Sequence, residues 1–456
     1  MTPVSTHLEN SQKSEFSAGQ RSHALFDRAR AVFPDGTTRV TVERDPVPRY
    51  IERGEGAFVI DADGRRFLDL NANFTTLIHG HAFEPVIAAV ETQMRNGTCF
   101  ANPTEAEVEL ASLLCKRVPG IDRIRFVNTG TEAVMFAIKA ARAFTGRPCI
   151  AKIEGAYHGA YDWVEVAQAS TRENWGPPDH PAATAYYHGM PTSVLDDVVV
   201  LRFNDAAGAR ELLSRRAGDI AAVLIDPMPS RAGLVAPEPE FLSALQETAR
   251  KHGILIISDE VLNFRQDYRG ASARYGLQPD LFALGKIIGG GFPIGAVGGS
   301  AEIMTVFDAR GGRPLLPQGG TFSANPISMV AGHAAMAALD QAAFARLETL
   351  GSNLRKRFRD AISRAEAPLS VTGAASLFRI HPKPMPPREF RDAYCNPAEA
   401  KIGHEMSRFF ARNGIILPSG AAACLSTPMG EAEIDAIAGV FEAFLAKKSA
   451  LLEEIA

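Results

Sequence analysis

Asp280-Leu-Phe-Ala-Leu-Gly-Lys286-Ile-Ile-Gly-Gly-Gly291-Phe-Pro293 is the stretch on which the reading of this 456-residue chain turns. Its first half is a short apolar run bounded by turn residues, the pattern of a strand buried on both faces. Lys286 closes that run, and three glycines follow closely. Burial disfavours an ammonium, lowers its pKa and exposes a nucleophilic amine. Such an amine could form a Schiff base with an aldehyde. Taken alone, Lys286 could equally be a lysine whose head snorkels out of a strand end. The surrounding sequence has to choose between these readings.

Outward from Lys286, residues 83–299 alternate short apolar runs with helical patterns. Strands are expected over 124–127, 149–153, 198–203, 221–225, 254–258, 281–284 and 296–298, with amphipathic helices over 131–144 and 239–251 between some of them. The alternation implies an α/β fold: a parallel or mixed sheet covered by helices, with ligands bound at the carboxyl ends of its strands. Upstream, a loosely ordered arm runs into a helix around 22–32, and the run from Phe58 to Leu70 has two apolar strands about an Asp-Gly turn. Downstream, helices are expected over 327–342, 348–365, 399–413 and 431–447, and strands over 377–381 and 415–417. Residues 382–398 hold five prolines and read as a surface loop. The expected division is an amino-terminal arm and hairpin (1–82) belonging to a small domain, a large ligand-binding domain (83–326), and a carboxyl-terminal part of the small domain (327–456).

Composition bounds the function. The chain is 46% hydrophobic and 22% charged with net charge −4, ordinary values for a soluble domain, and it has no Lys/Arg-rich block for nucleic acid or an anionic membrane. No apolar run approaches membrane-spanning length and the first ten residues are polar, so the cytoplasm is the expected compartment. Five widely spaced cysteines without a C-x-x-C pair read as free thiols, with no metal site.

Four further strand ends carry chemistry. Val127-Asn-Thr-Gly130-Thr131-Glu132 opens a helix whose amino end is either an anion site or an ordinary cap. Ile254-Leu-Ile-Ile-Ser-Asp259-Glu260-Val261 puts an acidic pair at the end of a buried strand. An ATPase magnesium site would need a Gly-Lys-Ser or Gly-Lys-Thr loop, and the only Gly-Lys is Gly285-Lys286, followed by Ile. Tyr157, in Glu154-Gly-Ala-Tyr157-His158-Gly159, could lie flat on an aromatic cofactor or be a boundary tyrosine. Gln318-Gly-Gly-Thr321-Phe-Ser is a Gly-rich loop with hydroxyl donors suited to phosphate, or a plain connection. Phosphate donors, a flat aromatic, a carboxylate and a lysine together are what pyridoxal phosphate requires. No G-x-G-x-x-G dinucleotide fingerprint follows the first strand.

On these residues, with 54–69, Gly80-His-Ala, Asn128-Thr-Gly-Thr-Glu-Ala133, Asp259-Glu-Val261, Leu284-Gly-Lys-Ile-Ile-Gly-Gly-Gly291 and Gly320-Thr-Phe-Ser323, the chain resembles the class III (subgroup II) aminotransferases of fold type I. It is most similar to the branch of glutamate-1-semialdehyde 2,1-aminomutase and the β-amino-acid transaminases. The resemblance runs from about Phe33 to Leu445. It implies a large, mostly parallel seven-stranded sheet domain and a smaller α/β domain from both termini. By resemblance, Lys286 holds the internal aldimine and moves the proton, Asp259 pairs with the pyridine nitrogen, and Val261 and Tyr157 sandwich the ring. Gly130 and Thr131 bind phosphate, and Thr321 reaches the phosphate of the neighbouring subunit in a homodimer with shared active sites. Arg39 binds a substrate carboxylate and Phe74 lies beside the substrate.

The chain also departs from that pattern. Asp226 stands where the family has glutamate before proline, which implies rearranged hydrogen bonds near the cofactor. In Leu417-Pro-Ser419-Gly-Ala-Ala-Ala-Cys424, Ser419 falls where β-phenylalanine-type transaminases carry arginine, and the acidic residue of the aminomutase loop is missing. The expected activity is amino transfer from a carboxylate-bearing amine, a β-amino acid, to a 2-oxo acid. The alternative is an aminomutase that returns the amine to the same molecule.

Overall fold

The computed structural model describes residues 18–455; the arm expected before residue 18 lies outside them. The helix expected around 22–32 runs Gln20–Ala29. Strands β1 (Ile51–Glu55), β2 (Phe58–Asp61) and β3 (Arg66–Asp69) follow as an antiparallel meander. β2 and β3 are the expected hairpin, with Phe58 opposite Leu68. Gly64 turns it at φ +80°, a conformation that costs glycine little.

Seven strands then build the main sheet: β4 (Arg123–Val127), β5 (Cys149–Ile153), β6 (Val198–Leu201), β7 (Ile220–Ile225), β8 (Leu255–Asp259), β9 (Leu281–Gly285) and β10 (Gly295–Gly299). Their order is β4-β10-β9-β8-β7-β5-β6, and only β10 runs against the rest. Every residue of β5, β6, β7 and β9 is buried, which explains their apolar sequences, broken only by Lys152 in β5. Alternate residues face opposite layers. Ala222 and Leu224 of β7 pack with helix Gly130–Thr145, whereas Val223 and Ile225 pack with helices Ala206–Arg215 and Pro239–His252. β10 is Gly-Ala-Val-Gly-Gly for a steric reason: a Cβ on Gly295 would sit 2.0 Å from the Thr129 carbonyl oxygen. The turn from β4 into its helix therefore folds down onto the sheet edge.

The expected single helix over 327–342 ends earlier, at Pro326–Ala338. Asp340 then caps a 24-residue helix, Gln341–Arg364, by accepting the Ala343 N–H. Strands β11 (Ser370–Thr372), β12 (Leu377–His381), β13 (Ile415–Ile416) and β14 (Ala423–Cys424) complete the set. β13 pairs in parallel with β3, so an amino-terminal and a carboxyl-terminal segment share one four-stranded sheet, while β11, β12 and β14 form another. The Pro-rich stretch 382–398 is not a free surface loop. It contains the short helix Phe390–Ala393 and is anchored by Arg391, which donates to both oxygens of buried Glu154 at 2.7 and 3.1 Å.

No helix among the described residues is long and apolar enough to cross a membrane. All five cysteines are free thiols.

Candidate active site

The carboxyl ends of the parallel strands deliver the chemistry to one side of the sheet. β8 ends at Asp259, β9 leads directly into Lys286 and β7 into Asp226, β5 leads into Tyr157-His158, and β4 leads into helix Gly130–Thr145. The connections are tight. Gly285 is fully extended and Lys286 turns at once into the left-handed region, at φ +50°. That conformation in a non-glycine residue costs on the order of 1–3 kcal/mol and persists where its surroundings dictate it. The Lys286 amine is pushed down to about 8 by burial and by the Arg265 charge, against the opposing pull of Asp259 and Asp226.

The acidic pair splits between two tasks. Glu260 turns into the protein and accepts the N–H groups of Ala271 and Ser272 and the Ser272 hydroxyl, at 2.8, 2.6 and 2.5 Å. Asp259, 4% exposed, takes the Val261 N–H on Oδ1 at 3.0 Å. Its Oδ2 lies 2.7 Å from His158 Nδ1. Burial holds His158 below the ordinary imidazole value, so the neutral ring donates its one N–H to the carboxylate. His158 Nε2 is buried without a partner among the described residues.

Asp226 is held by two donors. It accepts the Met228 N–H at 2.9 Å and the Asn263 side-chain amide. Burial, and then the Asp259 charge, push it well above the ordinary carboxyl range. Two adjacent buried carboxyls cannot both ionise cheaply, and Asp226 is the one biased toward its neutral form. Beneath the Tyr157 loop, Lys152 of β5 donates to the carbonyls of Ile153 and Val166 at 3.1 and 2.9 Å, and burial lowers it to about 7.

Gly130, Val261 and Gly285 form the floor. A Cβ on Gly130 would stand 2.7 Å from Val261 Cγ1, and one on Gly285 would stand 3.3 Å from it. Thr129 caps the helix by taking the Glu132 N–H on its hydroxyl and the Ala133 N–H on its carbonyl. The Gly130 and Thr131 N–H groups remain at the helix end, where the dipole favours an anion.

A second cluster adjoins the first. Residues Ala72, Asn73, Phe74 and Thr75 all have positive φ, a left-handed turn of four non-glycine residues. Asp69 Oδ1 accepts the N–H groups of Asn71 and Ala72, and Asn71 Oδ1 accepts that of Phe74. Fully buried Arg265 donates to Thr75 O at 2.8 Å, to Ser376 Oγ at 3.0 Å and to Leu425 O. The turn presents Asn73 Oδ1 to Arg39 at 3.1 Å and the Phe74 ring 5.9 Å from its guanidinium carbon. Ser419 faces elsewhere, its hydroxyl 3.4 Å from His404 Nδ1. Loop 419–424 still approaches the centre at its far end. The Cys424 thiol is 3.9 Å from Asn71 O and close enough to Lys286 to act on its charge. Thr321 is exposed, next to Cys99, whose thiol is 3.8 Å from its carbonyl.

Sequence reasoning assigned no part to His158, Arg265 or Lys152, although His158 stood inside a quoted motif. Their partners lie far along the chain or on the backbone, where residue spacing carries no signal.

The class-III aminotransferase profile matches residues 40–443. The chain belongs to the class-III aminotransferases. Glutamate-1-semialdehyde 2,1-aminomutase of Chloroflexus aggregans is 38% identical to it, over 93% of this chain and 97% of that protein. An omega-transaminase structure from Sphaerobacter thermophilus superposes with a TM-score of 0.91 at 48% identity, covering 94% of this chain and 98% of that one. A transaminase solved with PLP bound gives 0.86 at 41%, covering 95% and 98%.

These aminotransferases are pyridoxal-phosphate enzymes, and the residues present here suit that cofactor. A lysine of lowered pKa, a carboxylate steadied by two donors, free N–H groups at a helix end and a floor that has no room for another methyl group all converge at the strand ends.

Proposed function

We propose that this class-III aminotransferase moves an amino group from a carboxylate-bearing amine, with a β-amino acid as the preferred donor, to a 2-oxo acid. The observation that carries the substrate class is Arg39. It spends one N–H on Asn73, keeps the rest of its fork free among the described residues, and stands beside the exposed Phe74 ring. A guanidinium beside an apolar face receives a carboxylate on the fork and the adjoining carbon chain on the ring.

Pyridoxal phosphate supplies an aldehyde for the amine and an electron-withdrawing ring that tolerates the charge left when a proton departs. Lys286 Nζ, readily deprotonated, takes a proton from the amine-bearing carbon and returns it elsewhere on the bound group. Asp259, oriented by His158 and Val261, would pair with the ring nitrogen. Gly130 and Thr131 would donate N–H groups to the phosphate, and Val261 and Tyr157 would flank the ring. Asp226 close by is biased toward its neutral form, which limits the negative charge it adds beside Asp259.

A second copy of the chain completes the site. Thr321 and the neighbouring Phe322, 59% exposed, lie alongside the Cys99-Phe100 segment, where Phe100 is 48% exposed. That apolar surface, lying next to hydroxyl donors, favours association in which Thr321 reaches a neighbouring phosphate.

The aminomutase alternative has weaker support. The loop 419–424 carries no acidic residue, and identity is higher to an omega-transaminase than to the aminomutase. Two assays test the reading. Turnover of β-amino acids should require an added 2-oxo acid, and acceptor-independent isomerisation of an amino aldehyde would overturn transfer. Arg39→Ala should raise KM for carboxylate-bearing amines by about tenfold or more and spare simple amines. Equal effects on both would remove Arg39 from the substrate.

A further inference from the structure

We infer that Arg231 is the receptor for the carboxylate of the 2-oxo acid acceptor, supplied from the loop after β7 in place of an arginine at position 419. The inference rests on the transfer reading above and names the residue that selects its second substrate.

Arg231 lies in Asp226-Pro-Met-Pro-Ser-Arg231-Ala-Gly233, and its main chain is fixed on both sides. Arg379 Nη1 donates to the Ser230 carbonyl at 2.6 Å, and the Ala422 N–H reaches the Ser230 hydroxyl at 3.2 Å. Ala232 and Leu234 are buried, and Leu234 packs with Ala422 and Cys424. This loop is therefore held against loop 419–424, which has no charged side chain and whose Ser419 hydroxyl faces His404 instead.

The Arg231 head is held by almost nothing. It is half-buried, and among the described residues it has no hydrogen-bond or ion-pair partner. Its recorded contact is the Tyr157 ring, with the guanidinium carbon 5.1 Å from the centroid. Tyr157 immediately precedes His158, the residue that grips Asp259. An anchored backbone with five unspent N–H donors beside the catalytic strand ends is the arrangement a planar carboxylate needs. The aromatic contact is weaker than a bidentate ion pair, so a carboxylate can draw the head from the ring. Arg39, held by Asn73 of the left-handed turn, then serves the donor's carboxylate, and Arg231 the acceptor's.

The test uses the pyridoxal-phosphate holoenzyme and its Arg231→Ala and Arg231→Lys variants. Pyruvate is titrated onto the enzyme without any amine, so that it binds and is not consumed. Arg231→Ala should weaken pyruvate binding by about tenfold or more, with partial recovery in Arg231→Lys. In transfer assays the KM for pyruvate should rise in parallel, while the KM for propanal, an acceptor without a carboxylate, stays put. Pyruvate affinity in Arg231→Ala within about twofold of the parent overturns the proposal. So does an equal rise in KM for both acceptors, which marks general distortion. A parent enzyme that passes no amine to either acceptor sinks the transfer reading instead, and the pyruvate titration still decides the role of Arg231.

Discussion

His158 Nδ1 and Asp259 Oδ2 lie 2.7 Å apart, both side chains buried, joining the end of β8 to a loop 101 residues earlier. The pairing defines both partners. Burial keeps the imidazole neutral, so it brings a hydrogen bond to the carboxylate without a compensating positive charge. The orientation of Asp259 is fixed from two directions, by His158 and by the Val261 N–H.

If that orientation matters, His158→Ala should weaken pyridoxal-phosphate binding and lower kcat by about tenfold to a hundredfold, the cost of losing a hydrogen bond to a buried charge. The effect should not add to that of Asp259→Asn, because the two residues act as one unit. A double-mutant cycle on the cofactor Kd checks this. Strict additivity would show that His158 serves some other purpose.

Lys286 predicts a pH dependence of stability in the apoprotein. Its pKa is near 8 in the fold, against 10.5 for an ordinary lysine. Between those values the unfolded chain binds more protons, so stability rises with pH through that window, and the cost of burying the ammonium is complete below about 8. Compared with its behaviour near pH 10.5, Lys286→Met apoprotein should gain up to about 3 kcal/mol on the parent at pH 7, less whatever its partial solvent access relieves. Denaturant titrations at the two pH values measure the difference. An unchanged gap would mean the buried amine is not strained toward its neutral form. Amino transfer should be lost in this variant at every pH.

How much of this was legible in sequence varied with the physics behind each element. All seven strands of the main sheet could be read, because burial leaves short, mainly apolar runs between turn residues, and their bounds moved by at most two residues. β1 was not legible: Ile-Glu-Arg-Gly-Glu is mostly exposed and charged, and only its pairing with β2 makes it a strand. β11 and β14 span three and two residues, too short for any period to register. The prolines of 382–398 suggested surface, yet Phe390 packs so closely on Gly155 that a Cβ there would meet the ring at 2.0 Å. Within the site, Lys286, Asp259 and the Gly130 turn announced themselves as costly residue types at strand ends. Arg231 did not, because an arginine in a loop is unremarkable until its neighbours show that its head has no partner.

Arg265 should prove a structural keystone that also reaches the substrate. It is fully buried, and its three bonds join the 72–75 turn, Ser376 and Leu425. A lysine has one nitrogen and cannot reproduce the fork, so Arg265→Lys should cost about 3–5 kcal/mol of stability. Because Thr75 is one of the three partners, the turn carrying Phe74 should loosen, and the KM for amine donors should rise in whatever fraction stays folded. Thermal melts and donor kinetics test the two parts separately. An unchanged melting temperature would contradict the first, and an unchanged donor KM the second.

Gly130 allows a test of opposite sign to intuition. It occupies the first turn of a 16-residue helix with no positive φ, so alanine there would ordinarily stabilise by helix propensity and by restricting the unfolded chain. The floor reverses that expectation. The new methyl would stand 2.7 Å from Val261 Cγ1 and 3.1 Å from Cγ2, and a valine has no flexible end with which to yield. Val261 must move, and it is tied through its own N–H to Asp259. Overpacking of this kind costs about 1–3 kcal/mol. Gly130→Ala should therefore lower stability and weaken cofactor binding together, and adding Val261→Ala should restore most of the stability by opening space. Calorimetric melts of the two variants decide it: a Gly130→Ala protein more stable than the parent would mean that the floor is looser than these distances require.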